Sequence, residues 1–156
     1  MTVRVLFVCL GNVCRSPMAE AVFRHLVDEA GLAERIVSDS AGLDDYHIGE
    51  RAHPGTRAVL RQHGIAYEGR ARCVTRADFE RFDYILAMDD NNLADLETMA
   101  PPGSRAVIRR FLDFAADVPT REVPDPYYSG RFDYVYSLVR QGAEGLLAHL
   151  RAHKGL

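Results

Sequence analysis

The fold is decided near the start of the chain, by the stretch VRVLFVCLGNVCRSP at residues 3–17. Its first seven residues are apolar apart from Arg4 and predict a buried strand. Gly11-Asn12 then predicts a turn. Ser16 followed by Pro17 predicts the N-cap and the first residue of a helix. A strand, a short loop and a helix in this order indicate the beginning of an α/β unit.

The rest of the chain repeats this alternation of strands and helices. Gly31 ends the first helix, and Pro54 begins the second. Residues 113–131 contain three prolines and Gly130 and predict a loop. Strands are predicted at 36–42, 84–88 and 106–108, and helices at 54–63, 90–99 and 132–150. The alternation predicts a parallel sheet covered by helices on both faces, in which ligands bind at the carboxyl ends of the strands.

Length and composition exclude several classes of protein. The 156 residues are 47% hydrophobic and 26% charged, which predicts a single globular domain spanning 1–156. No apolar run reaches the roughly 18 residues of a membrane helix, and the first residues do not resemble a signal peptide. We therefore expect a cytoplasmic protein without membrane insertion. The net charge of −3 argues against nucleic-acid binding by overall attraction, and the odd count of three cysteines predicts reduced thiols.

The loop after the first strand has the pattern of an anion-binding site. Five residues separate Cys9 from Arg15, and they can curl so that their backbone N–H groups point into one concavity. The helix N-terminus adds positive charge, and the planar guanidinium of Arg15 can bind two phosphate oxygens. The same field would stabilise a thiolate at Cys9, to which Ser16 can donate a hydrogen bond. Cys9 and Arg15 are therefore candidate catalytic residues, and the predicted phosphate-binding loop consists of Leu10, Gly11, Asn12, Val13, Cys14 and Ser16.

Other phosphate, cofactor and metal motifs are absent from the sequence. It contains neither Gly-x-x-x-x-Gly-Lys-Ser/Thr nor Gly-x-Gly-x-x-Gly. The six histidines show no metal spacing such as His-Glu-x-x-His. We expect neither a cofactor nor a metal ion.

The segment from Cys9 to Pro17 resembles the signature of the low-molecular-weight protein tyrosine phosphatases. The likeness continues, in the family's order, through residues 39–42, 82–89 and 125–128, with sequences DSAG, FDYILAMD and DPYY. The resemblance implies a four-stranded parallel sheet flanked by helices on both faces, the phosphotyrosine phosphatase I-like, Rossmann-like fold. It also implies metal-free chemistry through a phosphocysteine on Cys9. The expected partner is a phosphotyrosine-containing protein, and the chain is expected to be a monomer that forms at most a weak dimer.

The resemblance assigns further roles. Phosphoryl transfer to sulfur requires a proton for the leaving oxygen, and Asp125 resembles the family's general acid and later base, held between two prolines. Tyr46, Tyr127 and Tyr128 resemble the aromatic wall of the pocket, with Tyr46 where many members have tryptophan. Cys14 resembles the second cysteine through which many members capture an oxidised nucleophile. The residues that resemble the loop's supports are Asn12, Ser40, Arg72, Asp89 and Asn92.

Three alternatives remain open. Protein-arginine phosphatases of this family carry a threonine at the position of Val13, and Val13 favours a flat aryl substrate. Arsenate reductases of this fold need later thiols to resolve the covalent adduct, and Cys73 alone follows the loop. A phosphotyrosine-binding module without turnover is the third alternative. One departure from the family concerns the histidine that many members carry just before the position of Arg72, where this chain reads EGRAR at 68–72.

Overall fold

Four parallel strands in the order β2-β1-β3-β4 form the sheet of the computed structural model, which describes residues 1–156. The strands are β1 (Val3–Cys9), β2 (Ile36–Gly42), β3 (Tyr84–Ala87) and β4 (Val107–Arg110). The helices are α1 (Arg15–Glu29), α2 (Pro54–Gln62), α3 (Asp78–Arg81), α4 (Asp90–Met99), α5 (Pro126–Ser129) and α6 (Phe132–Lys154), and Phe111–Phe114 forms a 3₁₀ turn. The predicted fold class is confirmed.

The central strand β1 explains why the sheet is covered on both faces. It pairs with β2 on one side, from Val3 opposite Ile36 to Cys9 opposite Gly42, and with β3 on the other. Alternate side chains enter two separate cores: one core contains Val3, Val5 and Phe7 and packs under α1 and α6, and the second contains Leu6 and Val8. A continuous apolar run is what a strand buried on both faces requires.

Aromatic packing fixes the position of β1. The Phe7 ring makes edge-to-face contacts with Phe23 of α1 and with Phe111, with ring centroids 5.6 and 5.2 Å apart. Each such pair contributes about 0.5–1.5 kcal/mol beyond the apolar area that it buries. Because Phe7 lies two residues before Cys9, this packing holds the strand end that begins the candidate loop.

The start of α1 differs from the prediction. The helix begins at Arg15, and Cys14 occupies the N-cap position without a side-chain hydrogen bond. The predicted N-cap role of Ser16 was therefore wrong. Ser16 lies inside the first helical turn and does not cap the helix. Its hydroxyl group lies 3.0 Å from the Cys9 Sγ.

The segment predicted as a loop at 113–131 contains the short helix α5. Asp125 is its N-cap and accepts a hydrogen bond from the Tyr127 N–H at 3.0 Å, while Pro126 takes the first helical position. The Asp-Pro pair therefore begins a helical turn here. Gly130, with a left-handed φ of 73°, ends this turn four residues after Pro126. None of the helices is long and apolar enough to cross a membrane.

Candidate active site

In the loop between β1 and α1, carbonyl groups accept hydrogen bonds from other segments, whereas most N–H groups have no partner within the protein. Outside donors hold the carbonyls: the His53 N–H bonds Val13 O at 2.7 Å, and the Thr56 hydroxyl bonds Cys14 O at 3.0 Å. The loop amides that make no hydrogen bond within the protein are those of Leu10, Gly11, Val13 and Cys14. Successive unpaired N–H groups at a helix N-terminus form an anion-binding concavity.

Cys9 lies at the base of this concavity. Cys9 is 3% exposed. Its Sγ lies 3.0 Å from the Ser16 Oγ and accepts a hydrogen bond from the Asn12 N–H at 3.3 Å. Both contacts can stabilise a negative sulfur, because hydrogen bonds to an ionised acceptor are stronger than those between neutral groups. The structure therefore brings the predicted nucleophile and its predicted hydroxyl donor together.

Asn12 holds the curled backbone in place. Its φ of 57° lies in the left-handed region, which asparagine tolerates better than most residues. Its side-chain oxygen accepts the Arg72 N–H at 3.0 Å, and its amide nitrogen donates to Ser16 at 2.8 Å and to Ser40 at 3.0 Å. Asn12 therefore joins Ser40 and the segment of Arg72 to the loop through hydrogen bonds.

Arg15 is a buried cation with one edge of its guanidinium already occupied. Its Nη1 donates to Asp89 at 2.7 Å and to the Val123 carbonyl at 3.0 Å, and its Nη2 lies 3.6 Å from Asp125. Nε and Nη2 make no hydrogen bond within the protein, so this edge is free to bind two oxygens. Burial lowers the pKa of Arg15, but Cys9, Asp89 and Asp125 outweigh burial and raise it.

Asp89 divides its two oxygens between Arg15 and a helix. One oxygen binds Arg15, and the other accepts the Asn92 N–H at 2.8 Å as the N-cap of α4. The Asn92 side-chain oxygen is buried without a partner, so Asn92 reaches the site through its backbone and not through its side chain. The arginine is therefore oriented by a carboxylate that the sheet and α4 hold rigid.

Arg72 does not contact Asp89. Its guanidinium binds Asp39 at 2.9 Å and Asp78 at 3.0 Å, and only its backbone N–H reaches the loop. Burial raises the pKa of Asp78, but Arg72 and Thr75 outweigh burial and lower it. Arg72 thus fixes the segment that supplies a backbone donor to Asn12.

A cleft of about 350 Å³ opens above the loop and is partly walled by aromatic rings. Tyr46 and Tyr128 are 79% and 87% exposed, and the Tyr127 and Tyr128 rings lie edge to face at 5.1 Å. The cleft is lined by Cys9, Leu10, Gly11, Val13, Cys14, Arg15, Asp44, Tyr46, His47, Asp125, Tyr127 and Tyr128. All three predicted pocket tyrosines and all three predicted catalytic residues therefore line one cleft.

Sequence reasoning missed several residues of this site. His47 lines the cleft between the aromatic rings, with its Nδ1 3.0 Å from Glu50. The Val123 carbonyl orients Arg15, and a main-chain carbonyl carries no sequence signal. Glu20 is buried behind the loop, and its place among the apolar residues 18–22 of an amphipathic helix was the available signal.

Comparison with known proteins assigns the fold and the loop to one family. A family model described as "Low molecular weight phosphotyrosine protein phosphatase" matches residues 4–155. The chain belongs to this family. The low molecular weight protein-tyrosine-phosphatase YfkJ of Bacillus subtilis is 48% identical over 155 residues, which cover 99% of each chain. A low molecular weight phosphotyrosine protein phosphatase of Schizosaccharomyces pombe is 48% identical over 129 residues, 82% of this chain and 83% of the other.

Solved structures of the phosphatase family superpose on the whole chain. The crystal structure of YfkJ gives a TM-score of 0.95 at 47% identity, covering 99% of this chain and 98% of that one. The crystal structure of a Drosophila arginine phosphatase gives a TM-score of 0.89 at 36% identity, covering 94% and 97%. The resemblance drawn from four sequence motifs is confirmed. Because the family's structures include an arginine phosphatase, membership by itself does not choose between aryl and guanidinium phosphates.

Proposed function

We propose that this member of the family hydrolyses phosphotyrosine in proteins, and small aryl phosphates, through a phosphocysteine intermediate on Cys9. The observation that carries the proposal is the arrangement around the Cys9 sulfur. The four loop residues with unpaired amides line one cleft together with Arg15, whose Nε and Nη2 are free, and Asp125. Such an arrangement suits a group with three equatorial oxygens and an in-line leaving oxygen.

In the first step the Cys9 thiolate attacks phosphorus, an S–P bond forms and the P–O bond to the phenol breaks. The loop amides and the Nε–Nη2 edge of Arg15 bind the equatorial oxygens as their charge develops. Ser16, 3.0 Å from the sulfur, stabilises the thiolate before attack and again when it leaves.

Asp125 supplies the proton in this step. The carboxyl group lies at the edge of the cleft, with one oxygen capping α5 and the other 3.6 Å from Arg15. It protonates the phenolate oxygen as the P–O bond breaks. In the second step it accepts a proton from water, which attacks phosphorus, so that the S–P bond breaks and inorganic phosphate is released.

The walls of the cleft favour a flat aryl group. Tyr46 and Tyr127 can contact a phenyl ring by stacking, and His47 lies between them at ring-centroid distances of 4.7 and 5.9 Å. Val13 places a buried apolar side chain at the floor of the cleft, where it offers a guanidinium no hydrogen-bond acceptor. This pairing supports phosphotyrosine over phosphoarginine.

We further propose that Cys14 is a resolving thiol for an oxidised Cys9. Both thiols are free and line the cleft. Burial, together with Asp125 and Cys9, raises the pKa of Cys14 to about 12, so Cys14 remains a protonated thiol at neutral pH. Peroxide would oxidise the Cys9 thiolate to a sulfenic acid, and condensation with the Cys14 thiol would form a disulfide and release water.

A substrate panel tests the activity. Initial rates are measured without added metal on phosphotyrosine, phosphoserine and phosphoarginine peptides, and arsenate reduction is measured with a thiol donor. We expect hydrolysis of phosphotyrosine with rates at least about 100-fold above the other substrates, because the aryl ring adds binding in the transition state. Faster cleavage of phosphoarginine, or arsenate reduction, would replace the proposal by that alternative.

The matched variant for this panel is Cys9→Ser. It retains the loop amides and Arg15, but serine has no anion at neutral pH, so turnover should be lost while vanadate or phosphate still binds. Binding is followed by the shift of loop amide resonances on titration with phosphate. A wild-type protein that binds phosphotyrosine without hydrolysing it would identify a binding module, and turnover by Cys9→Ser within tenfold of the wild type would exclude the phosphocysteine mechanism.

A further inference from the structure

A second concave site, separate from the cleft, is bordered by three arginines. Arg51, Arg57 and Arg61 line a groove of about 290 Å³, called the arginine groove below. Residues 51–70 contain four arginines and a single acidic residue, Glu68, although the whole chain has a net charge of −3. The groove is therefore a local concentration of positive charge on an acidic protein, and such a concentration attracts anionic partners.

The guanidinium groups of the arginine groove have donors that the protein does not use. The exposed guanidinium of Arg61 makes no hydrogen bond or ion pair within the protein. Arg57 is half-buried, and its Nε donates to the Ala52 carbonyl at 3.0 Å, which leaves both Nη atoms without a partner. Arg51 reaches only Glu68, at 3.5 Å between two exposed side chains, and an exposed pair of this kind is weak in water. A carboxylate from a partner can therefore bind these arginines and displace at most one weak contact.

The backbone holds two arginines of this segment against their mutual repulsion. Arg51 faces Arg70 in a short antiparallel bridge, and like charges in facing positions are destabilising. The neighbouring backbone is fixed, because the Gly49 N–H donates to the Ala71 carbonyl at 2.8 Å and the Ala71 N–H donates to the Glu50 carbonyl at 2.9 Å. An anion bound beside Arg51 would offset this repulsion.

The arginine groove adjoins the cleft through two connections. His47 lines the cleft and Arg51 lines the groove, so four residues of chain separate the two sites by at most about 14 Å. The other two arginines lie on α2, whose first turn is bound to the phosphate loop through the Thr56 hydroxyl, 3.0 Å from Cys14 O. An extended peptide advances about 3.3 Å per residue, so about four residues lead from the cleft to the groove.

We propose that the arginine groove binds acidic side chains of the substrate protein that lie three to five residues from the phosphotyrosine. The proposal rests on the proposed function, and it adds the class of substrate sequence that the enzyme prefers. A peptide segment fits better than a nucleic acid, because a long polyanion that follows the surface beyond the groove meets a chain of net negative charge.

Three phosphotyrosine peptides test the preference. One carries glutamates at the third to fifth positions before the phosphotyrosine, the second carries them at the third to fifth positions after it, and the third has glutamine at all six positions. At low ionic strength we expect one of the two acidic peptides to show a kcat/KM about tenfold above that of the glutamine peptide. The gain should lie in KM and not in kcat, because contacts remote from phosphorus bind substrate and transition state equally. In 1 M salt, where the Debye length is about 3 Å, the preference should disappear.

A charge reversal in the groove supplies the decisive variant. Arg51→Glu/Arg61→Glu should lose the preference and should instead favour a peptide with lysines at the same positions, a gain that general damage to the fold would not produce. The matched control is Arg35→Glu/Arg105→Glu, which changes the net charge equally at two exposed arginines outside both the groove and the cleft. Both double variants should hydrolyse the glutamine peptide with a kcat within about twofold of the wild type.

Several outcomes would overturn the proposal. They are a wild-type protein that prefers neither acidic peptide, a preference that Arg51→Glu/Arg61→Glu retains, and an equal loss of preference in the control variant. If the groove variant does not fold, as thermal unfolding shows, Arg61→Glu decides, because its guanidinium has no partner to lose. That single variant should lower the preference at least about twofold, and an unchanged preference overturns the proposal.

The same experiment separates this proposal from the proposed function. Hydrolysis of all three peptides at equal kcat/KM would refute the groove and leave the phosphotyrosine phosphatase activity standing. If no peptide is hydrolysed, the proposed function fails and the Kd values of the same peptides, measured by fluorescence anisotropy, decide the groove. Tighter binding of an acidic peptide that the groove variant loses would support acidic-segment binding, and equal Kd values would overturn it.

Discussion

Replacement of Arg15 by lysine tests the proposed mechanism most sharply, because it keeps the charge and changes only the geometry. In the structure the Nη1 atom is committed to Asp89 and to the Val123 carbonyl, at 2.7 and 3.0 Å. Nε and Nη2 are left for the substrate. A lysine ammonium is a single point of charge and cannot hold Asp89 while also presenting two parallel donors to a phosphoryl group.

The size of the loss follows from the donors that disappear. The variant loses the two-pronged contact of Arg15 to the equatorial oxygens, where charge develops in the transition state. Removal of one such donor from a preorganised site costs about 2.7–4 kcal/mol, or about 10²–10³ in rate. An ammonium that remains beside Asp89 contributes little to the phosphoryl group, so we expect kcat to fall by at least about 10²-fold for Arg15→Lys.

The assay is hydrolysis of para-nitrophenyl phosphate near pH 6, with vanadate inhibition as a second measure. Vanadate affinity should fall with kcat, because both depend on the equatorial contacts. Arg109→Lys, an exposed position on β4 that lies outside the cleft, serves as the control, and thermal unfolding verifies that each variant folds. If Arg15→Lys retains a rate within tenfold of the wild type, Arg15 does not bind the transferring phosphoryl group through Nε and Nη2.

Three further predictions follow from other contacts of the site. Asp125→Ala should slow cleavage of phosphotyrosine by about 10²-fold or more and cleavage of para-nitrophenyl phosphate far less, because nitrophenolate needs little protonation; equal losses in kcat for the two esters would remove the acid role. After brief exposure to peroxide, Cys14→Ser should recover less activity with dithiothreitol than the wild type, because its Cys9 oxidises further; equal recovery would exclude Cys14 as the resolving thiol. Asp78→Asn should lower the free energy of unfolding by about 1–2 kcal/mol at pH 7, since the buried carboxylate loses its charge-assisted hydrogen bonds from Arg72, which is partly exposed and keeps Asp39. Because the pKa of Asp78 is lowered, this contribution to stability is fully present above about pH 5 and is lost as pH falls below about 4. Urea titrations of the wild type and Asp78→Asn measure it, and a difference in unfolding free energy that does not change with pH would contradict the ion pair.

The strands and the catalytic loop could be predicted because their signals are local. Residues 3–9 read as a strand because β1 is buried on both faces, and the structure begins and ends it at the predicted residues. The second strand and the helix at 90–99 also have their predicted bounds, because their signals lie within or directly beside the segments. The spacing of Cys9 and Arg15 predicts the loop. The donors of the loop are backbone N–H groups, which the five intervening residues supply regardless of their side chains.

The contacts that hold the proposed catalytic residues could not be predicted, because they join distant segments through atoms without a sequence signature. Arg15 is oriented by Asp89 and by the carbonyl of Val123, which lie 74 and 108 residues further along the chain. Asp125 begins a four-residue helix in a segment whose prolines indicate a loop. Arg72 binds Asp39 and Asp78, and no periodicity in these irregular segments reveals either pairing.

By charge alone, the pairing of Arg15 with Asp89 would oppose phosphate binding, since a carboxylate already neutralises the cation that should attract the anion. The geometry resolves this conflict. Asp89, the N-cap of α4, binds Nη1 and thereby fixes the plane of the guanidinium while leaving Nε and Nη2 without a hydrogen bond within the protein. Much of the attraction for the phosphoryl group then comes from the four unpaired loop amides and the N-terminus of α1, whose partial charges are fixed by the backbone. Under the proposed mechanism, such a site would hold its donors in the orientation of the transition state before substrate arrives, and this preorganisation would contribute more to the rate than an additional free charge.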